Sequence, residues 1–86
     1  MTFQEHLEEI LRAEIDKTVR QQGYILETEF CSDICEKYSF TLYTVLGTLR
    51  RIYSEIPLTK RRMSADLKKY YKLQIKGYPI MYMPQQ

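Results

Sequence analysis

The chain is poor in the residues that build small metal sites, disulfide frameworks and phosphate-binding loops. Its 86 residues include two cysteines, one histidine and three glycines. Cys31 and Cys35 lie four positions apart with only His6 to join them, so neither a disulfide framework nor a zinc site is expected. We interpret both thiols as small buried hydrophobic groups. The scarcity of glycine also excludes a glycine-rich loop that cradles phosphates.

Catalytic groups are equally scarce. The sequence shows no Ser/His/Asp or Cys/His constellation, and carboxylate pairs such as Glu5 with Glu8 or Glu9 fall on a solvated helix. We therefore predict that the protein is not an enzyme and that it uses no cofactor and no metal. No apolar run approaches the roughly 20 residues that span a bilayer, so no membrane partner is expected. The N-terminal stretch is acidic and amphipathic, which disfavours a secretory signal and predicts a cytoplasmic protein.

What the sequence does contain is a polarised distribution of charge. Residues 1–38 hold nine acidic and four basic side chains, a net charge of −5. Residues 39–86 hold nine basic side chains against Glu55 and Asp66, a net charge of +7. A nucleic-acid-binding protein would place this basic half on phosphates. The alternative is a solvated surface on which the two signs happen to segregate.

Hydrophobic periodicity predicts amphipathic helices in the first two thirds of the chain. The predicted elements are a helix over 3–22, a strand over 24–26 and helices over about 29–38 and 41–55. Gly23 suits the C-cap of the first helix. Pro57 ends the last one, because the residue before a proline avoids the helical region.

The C-terminal third is predicted to hold a basic segment and a β-hairpin. Residues 59–72 are expected to form an extra helix or a basic loop. Apolar and polar residues alternate from Leu73 to Tyr82, and the segment from Lys76 to Pro79 supplies turn chemistry, so a hairpin is expected here. The fold class is therefore mainly α with a small β-hairpin, in a single domain over residues 1–86.

The two helices over 29–55 carry the packing pattern of a helix-turn-helix. Small and hydrophobic residues stand where two helices would cross, around a tight turn at Ser39-Phe40, and a threonine stands at the N-cap of the second helix. These positions are Ile34, Cys35, Tyr38, Phe40, Thr41, Val45 and Leu49. Their spacing resembles the winged helix-turn-helix superfamily over about a third of the chain. The resemblance implies that the second helix enters the major groove of DNA. The extra segment over 59–72 departs from the superfamily pattern.

The outward face of the helix over 41–55 is the predicted DNA-contacting surface. Hydroxyls can bond to base edges, a glycine permits close approach, and an arginine can fork onto guanine or phosphate. Basic side chains after this helix would hold phosphates, as would a lysine at the hairpin tip, where the superfamily carries its wing. The predicted site residues are Thr41, Tyr43, Thr44, Gly47, Thr48, Arg51, Lys60, Arg61, Arg62 and Lys76. The alternative is that this face is simply the solvated side of a core helix.

The sequence thus predicts a small DNA-binding protein, a transcriptional regulator that contacts double-stranded DNA. The alternative function is a protein–protein interaction module or inhibitor on the same winged-helix-like fold, of the phage or plasmid accessory type. Eight tyrosines and no tryptophan suit an interface, so a homodimer and a protein partner both stay open. Tyr43 and Thr44 discriminate the two functions, because burial of this helix would prevent entry into a groove.

Overall fold

Four helices and a three-stranded antiparallel sheet form the fold of residues 2–85, the part of the chain that the computed structural model describes. In chain order they are α1 (Phe3–Gln22), β1 (Ile25–Leu26), α2 (Glu27–Tyr38), α3 (Leu42–Ile52), β2 (Leu58–Arg62), α4 (Ala65–Tyr70) and β3 (Ile80–Pro84). The prediction of a mainly α chain with a small β part is confirmed. None of the helices within residues 2–85 has the length and apolar character that crossing a membrane requires.

Local signals set both ends of α1. The Thr2 side chain accepts a hydrogen bond of 3.1 Å from the Glu5 amide, which satisfies one of the free N–H groups at the helix start. Gly23 ends the helix in the left-handed conformation, at φ 85°, and its amide donates to the Val19 carbonyl. The prediction of a helix over 3–22 with a glycine cap is therefore confirmed.

Helices α2 and α3 meet at a tight turn. Ser39 closes α2 at φ 61°, and the Thr41 hydroxyl caps α3 by accepting from the Thr44 amide at 3.4 Å. Helix α2 begins two residues earlier than predicted, at Glu27, and α3 ends at Ile52 rather than at residue 55. Residues 53–57 form turns instead of a last helical turn.

The sheet separates two hydrophobic clusters. Strand β3 lies in the middle, with Tyr82 opposite Ile25 of β1 and opposite Lys60 of β2. Side chains alternate between the two faces along each strand. One face packs with Leu7, Leu11, Ile15, Phe30, Ile34, Val45, Leu49 and Ile52 of the helices in the larger cluster. The other face contributes Tyr24, Leu26 and Met81 to the smaller cluster.

The segment between β2 and β3 covers this second face of the sheet. Its apolar side chains pack against the smaller cluster and comprise Met63, Leu67, Tyr71, Leu73 and Ile75. The three helices α1, α2 and α3 therefore lie on one side of the sheet, and residues 63–79 lie on the other.

Two predictions for the C-terminal third are wrong. Residues 59–62 are extended rather than helical, because β2 pairs with β3 along its whole length. The helix is confined to α4, where the Ser64 hydroxyl caps it by accepting from the Leu67 amide at 3.2 Å. The predicted hairpin over 73–82 is absent from the described chain, since Leu73 and Ile75 pack under the sheet instead of pairing with the strand that follows. The hairpin consists of β2 and β3.

Candidate nucleic-acid interface

Helix α3 buries one face and opens the other to solvent. Val45, Leu49 and Ile52 are fully buried, which is the i, i+4, i+7 spacing of a core-facing stripe. On the outer side Tyr43 keeps 89% of its surface exposed, and Gly47 and Arg51 are exposed as well. The outer residues of this helix are therefore accessible, which is the condition that groove entry requires.

A shallow groove runs between the start of α1 and the outer side of α3. Its lining residues are Gln4, Tyr43, Thr44, Gly47, Thr48 and Arg51. Thr48 belongs to the interior, with 3% of its surface exposed. Its hydroxyl accepts from the Gln4 amide at 3.0 Å and donates to the Thr44 carbonyl at 2.9 Å. Among the predicted contact residues, Thr48 is thus placed in the wall that joins α1 to α3 rather than on the open face.

The hydroxyls at the start of α3 are also engaged. Thr41 Oγ1 and Thr44 Oγ1 lie 2.7 Å apart in a hydrogen bond, in addition to the cap that Thr41 provides. Arg51 has a looser partner, because its Nη2 atom lies 3.4 Å from Glu8 Oε2 and more than half of its side chain is exposed. Arg51 can therefore exchange Glu8 for another anion at small cost.

A buried carboxylate connects α3 to α2 and to the sheet. Glu27, with 4% of its surface exposed, accepts from Arg50 Nε at 3.2 Å and from Arg50 Nη2 at 3.0 Å. The Tyr82 hydroxyl donates to the same carboxylate at 2.5 Å. The two-pronged contact fixes the guanidinium plane while leaving 48% of the Arg50 side chain exposed. Arg50 thus stands at the surface in a set orientation.

The ionisation of this network follows from its contacts. Burial acts to raise the pKa of Glu27, but hydrogen bonds from Arg50 and Tyr82 and the charges of Arg50 and Lys60 outweigh it. The pKa of Glu27 consequently lies below its usual value of 4.5. Burial and the bond to Glu27 raise the pKa of Tyr82 above its usual value, so the phenol remains a donor at neutral pH. The bond to Glu27 also raises the pKa of Arg50.

Sequence reasoning missed Arg50 and Glu27 as partners. Arg50 is 23 positions from Glu27, and Tyr82 is 55 positions from it. No local pattern links residues so far apart in the chain. The one available signal is an acidic residue that directly follows the apolar strand Ile25–Leu26, where a carboxylate is costly to bury unless it is paired.

Strand β2 divides the predicted basic cluster between the two faces of the sheet. Lys60 and Arg62 stand opposite Tyr82 and Ile80, which belong to the helix side. Lys60 Nζ lies 5.9 Å from the Tyr53 ring, just beyond the end of α3, and Arg62 Nη1 donates to a backbone carbonyl at 2.7 Å. Arg61 alternates to the other face. The structure therefore places Lys60 beside the end of α3, ties Arg62 to the Tyr78 carbonyl and turns Arg61 to the other face of the sheet.

Lys76 is also separate from α3. It is exposed, and it follows Ile75 in the segment that covers the opposite face of the sheet. The sequence predicts Lys76 at the tip of a hairpin over residues 73–82, but the strands that pair are β2 and β3. Lys76 thus belongs to the segment on the opposite face of the sheet from α3, and Arg61 alternates to that face as well.

The cysteines and acids do not assemble a metal centre in the described chain. Both thiols are free, and burial raises the pKa of Cys31 to about 12. No group of three or more His, Cys, Asp or Glu side chains within residues 2–85 is placed to hold a metal ion.

Comparisons of the chain with models of protein families, with curated proteins and with solved structures find no match.

Proposed function

We propose that the protein is a DNA-binding transcriptional regulator that docks the open face of α3 into the major groove of duplex DNA. The observation that carries the proposal is the stripe formed by Tyr43, Gly47 and Arg51, which is exposed while the opposite face of α3 is buried. We further propose a winged helix-turn-helix-like fold. The order α1, β1, α2, α3 and then the antiparallel pair of β2 and β3 supports it, with α4 inserted between those two strands.

The dimensions and chemistry of this stripe suit groove entry. Residues four apart on a helix lie on one face, so Tyr43, Gly47 and Arg51 form a single ridge. A helix is about 10–12 Å wide with its side chains, and the major groove is about 12 Å wide. Gly47 leaves open space, because nothing lies within 4 Å of where a side chain would begin. Arg51 can then fork onto a guanine edge or a phosphate.

Three further basic side chains lie on α3 and on the helix side of β2. Arg50 is held in place by Glu27, and Lys60 and Arg62 follow on β2. Cations in these places would contact phosphates and release condensed counterions from the duplex. The negative charge of the Glu27 carboxylate partly cancels this positive potential, but its hydrogen bonds fix the orientation of the Arg50 guanidinium.

A titration with a matched control tests this function. Fluorescence anisotropy would follow a labelled random-sequence duplex as protein is added, between about 50 and 200 mM salt. We expect binding that weakens steeply with salt, and a loss of affinity in Arg51→Ala. Arg20→Ala is the control, because Arg20 is an exposed arginine on α1 whose ion pair with Asp16 is also on the surface. No binding at micromolar protein and low salt, or equal losses in both variants, would overturn the proposal.

A protein-interaction module is the second candidate, favoured by an exposed apolar patch beside α3. Phe3, Leu42 and Tyr43 are exposed, and the Phe3 ring meets the Phe40 ring edge-on at 5.6 Å. Apolar side chains that cluster at the surface mark contact sites for other proteins. Sedimentation at rising protein concentration tests the homodimer. A dimer that Leu42→Glu dissociates supports this candidate, and a monomer at all concentrations excludes self-association.

A further inference from the structure

The segment over 63–79 is an ordered element with its own exposed surface. Its apolar side chains anchor it to the smaller hydrophobic cluster. The Leu73 amide donates to the Lys68 carbonyl at 2.8 Å, and the Lys68 ammonium donates to the Ile75 carbonyl at 3.0 Å. These bonds close the chain after α4 into a compact turn. The backbone of residues 63–79 is therefore held in place beneath the side chains that point away from the sheet.

Tyr70, at the end of α4, is an exposed tyrosine whose ring is supported by other aromatic rings. Tyr70 keeps 76% of its surface exposed. Its ring meets the ring of Tyr71 at a centroid distance of 4.9 Å and an angle of 90°. Tyr71 in turn lies 4.3 Å from Tyr24, which is buried in the smaller cluster. The Tyr71 ring thus supports the exposed Tyr70 ring, whose hydroxyl makes no hydrogen bond to a side chain or backbone group within residues 2–85.

The chain after the first turn of α4 carries basic charges alone, and Asp66 lies four positions before Tyr70 on the same helix. From Leu67 to the C-terminus the chain contains four lysines and no acidic residue. Lys68 is used inside the segment, where its ammonium lies 4.3 Å from the Tyr78 ring. Lys69, Lys72 and Lys76 are exposed, and no ion pair formed within residues 2–85 involves them. These three cations are thus available for an anionic partner.

We propose that Lys69, Tyr70, Lys72 and Lys76 form a binding surface for single-stranded nucleic acid, which we call the α4 surface. The lysines would contact phosphates, and the Tyr70 ring would stack on an unpaired base. Paired bases inside a duplex offer no open face for this ring. An acidic protein or an anionic membrane would also use the lysines, and stacking of the braced, exposed ring on a base is the additional contact that favours a single strand.

The α4 surface is independent of the α3 stripe. Residues 63–79 cover one face of the sheet, whereas α3 packs on the other. One molecule could therefore hold a duplex and a single strand at the same time. A regulator with both surfaces would suit a junction at which duplex DNA opens, or an RNA transcript beside its template. The α4 surface does not require that the proposal for α3 hold.

The test measures binding of a labelled oligothymidine, which lacks base pairing, by fluorescence anisotropy. We expect binding by the unmodified protein and a roughly 5- to 150-fold weaker affinity in Tyr70→Ala, the effect of removing one base stack. Tyr70→Phe keeps the ring and should retain affinity. Lys69→Ala with Lys72→Ala should weaken binding and reduce the slope against salt by about 0.7 for each phosphate that is no longer neutralised.

Two controls separate this surface from α3 and from folding. Tyr43→Ala removes an even more exposed tyrosine from α3 and should leave oligothymidine binding unchanged. Tyr70→Ala should leave duplex binding unchanged. Circular dichroism melting confirms that each variant folds. The proposal is overturned if oligothymidine does not bind, if Tyr70→Ala binds it as well as the unmodified protein, or if only vesicles containing phosphatidylserine bind.

Discussion

The Tyr82 hydroxyl donates a hydrogen bond to the buried Glu27 carboxylate across 55 positions of the chain. Glu27 begins α2, and Tyr82 lies in the central strand of the sheet. The same carboxylate holds Arg50 of α3. One acidic side chain therefore links α2 and α3 to the sheet. This contact fixes the orientation of α3 relative to α2 and the sheet.

Tyr82→Phe should destabilise the protein by about 1.5–3 kcal/mol, because it removes a buried hydrogen bond to a charged acceptor. Urea unfolding followed by circular dichroism measures the change in the free energy of unfolding. Tyr70→Phe is the matched control, since its hydroxyl is exposed, and it should stay within about 0.5 kcal/mol of the unmodified protein. Equal stability of the two variants would show that the bond to Glu27 contributes nothing.

Stability should fall in acid because the pKa of Glu27 is lower in the folded protein than its usual 4.5. The ionised carboxylate contributes its full stabilisation above pH 4.5, and this contribution is lost as the pH falls through the folded pKa. Unfolding free energies of the unmodified protein and of Glu27→Gln should therefore converge below pH 4.5. A constant gap between them down to pH 3 would contradict the lowered pKa.

Arg50 and Arg51 are neighbours with different contacts, and two variants separate their expected contributions. Arg50→Ala should lower both the free energy of unfolding and the affinity for duplex DNA, because it leaves Glu27 without its main partner. Arg51→Ala should lower affinity alone, since its contact with Glu8 is long and exposed. Urea unfolding gives the free energy of unfolding of each variant, and duplex titration gives its affinity for DNA. A loss of stability in Arg51→Ala equal to that in Arg50→Ala would contradict this division.

Gly47→Ala should strengthen the fold and weaken DNA binding. Alanine favours a helix interior over glycine by about 1 kcal/mol, and nothing within 4 Å obstructs the added methyl group. If α3 enters a groove, the same methyl group meets the DNA. Thermal melting should therefore rise while the affinity for duplex falls. Higher stability with unchanged affinity would show that Gly47 does not approach DNA closely.

Short-range signals predict the helical part of this fold well. Gly23 and Thr41 are caps that act within a few residues, so α1 and the start of α3 follow from the sequence. Strand β2 does not, because the run from Thr59 to Arg62 has no apolar alternation and becomes extended only by pairing with β3. The hairpin predicted over residues 73–82 is misplaced because the partner of β3 is β2, which the sequence pattern does not mark as a strand.

In the candidate site too, positions that depend on helical spacing are predictable, and positions that depend on distant partners are not. Helical spacing predicts Tyr43, Gly47 and Arg51 as an outward stripe, and the structure leaves them exposed. Thr48 is buried beside Val45 and Leu49, a position that the same spacing would have placed inside. Arg50 escapes prediction because its partners come from α2 and β3, which no local pattern connects to it.

The most direct test of duplex docking by α3 is an NMR titration of the ¹⁵N-labelled protein with duplex DNA. We expect the largest amide shifts at Tyr43, Gly47 and Arg51, with smaller shifts at Lys60 and Arg62. Shifts that spare α3 while the duplex binds would contradict the central proposal.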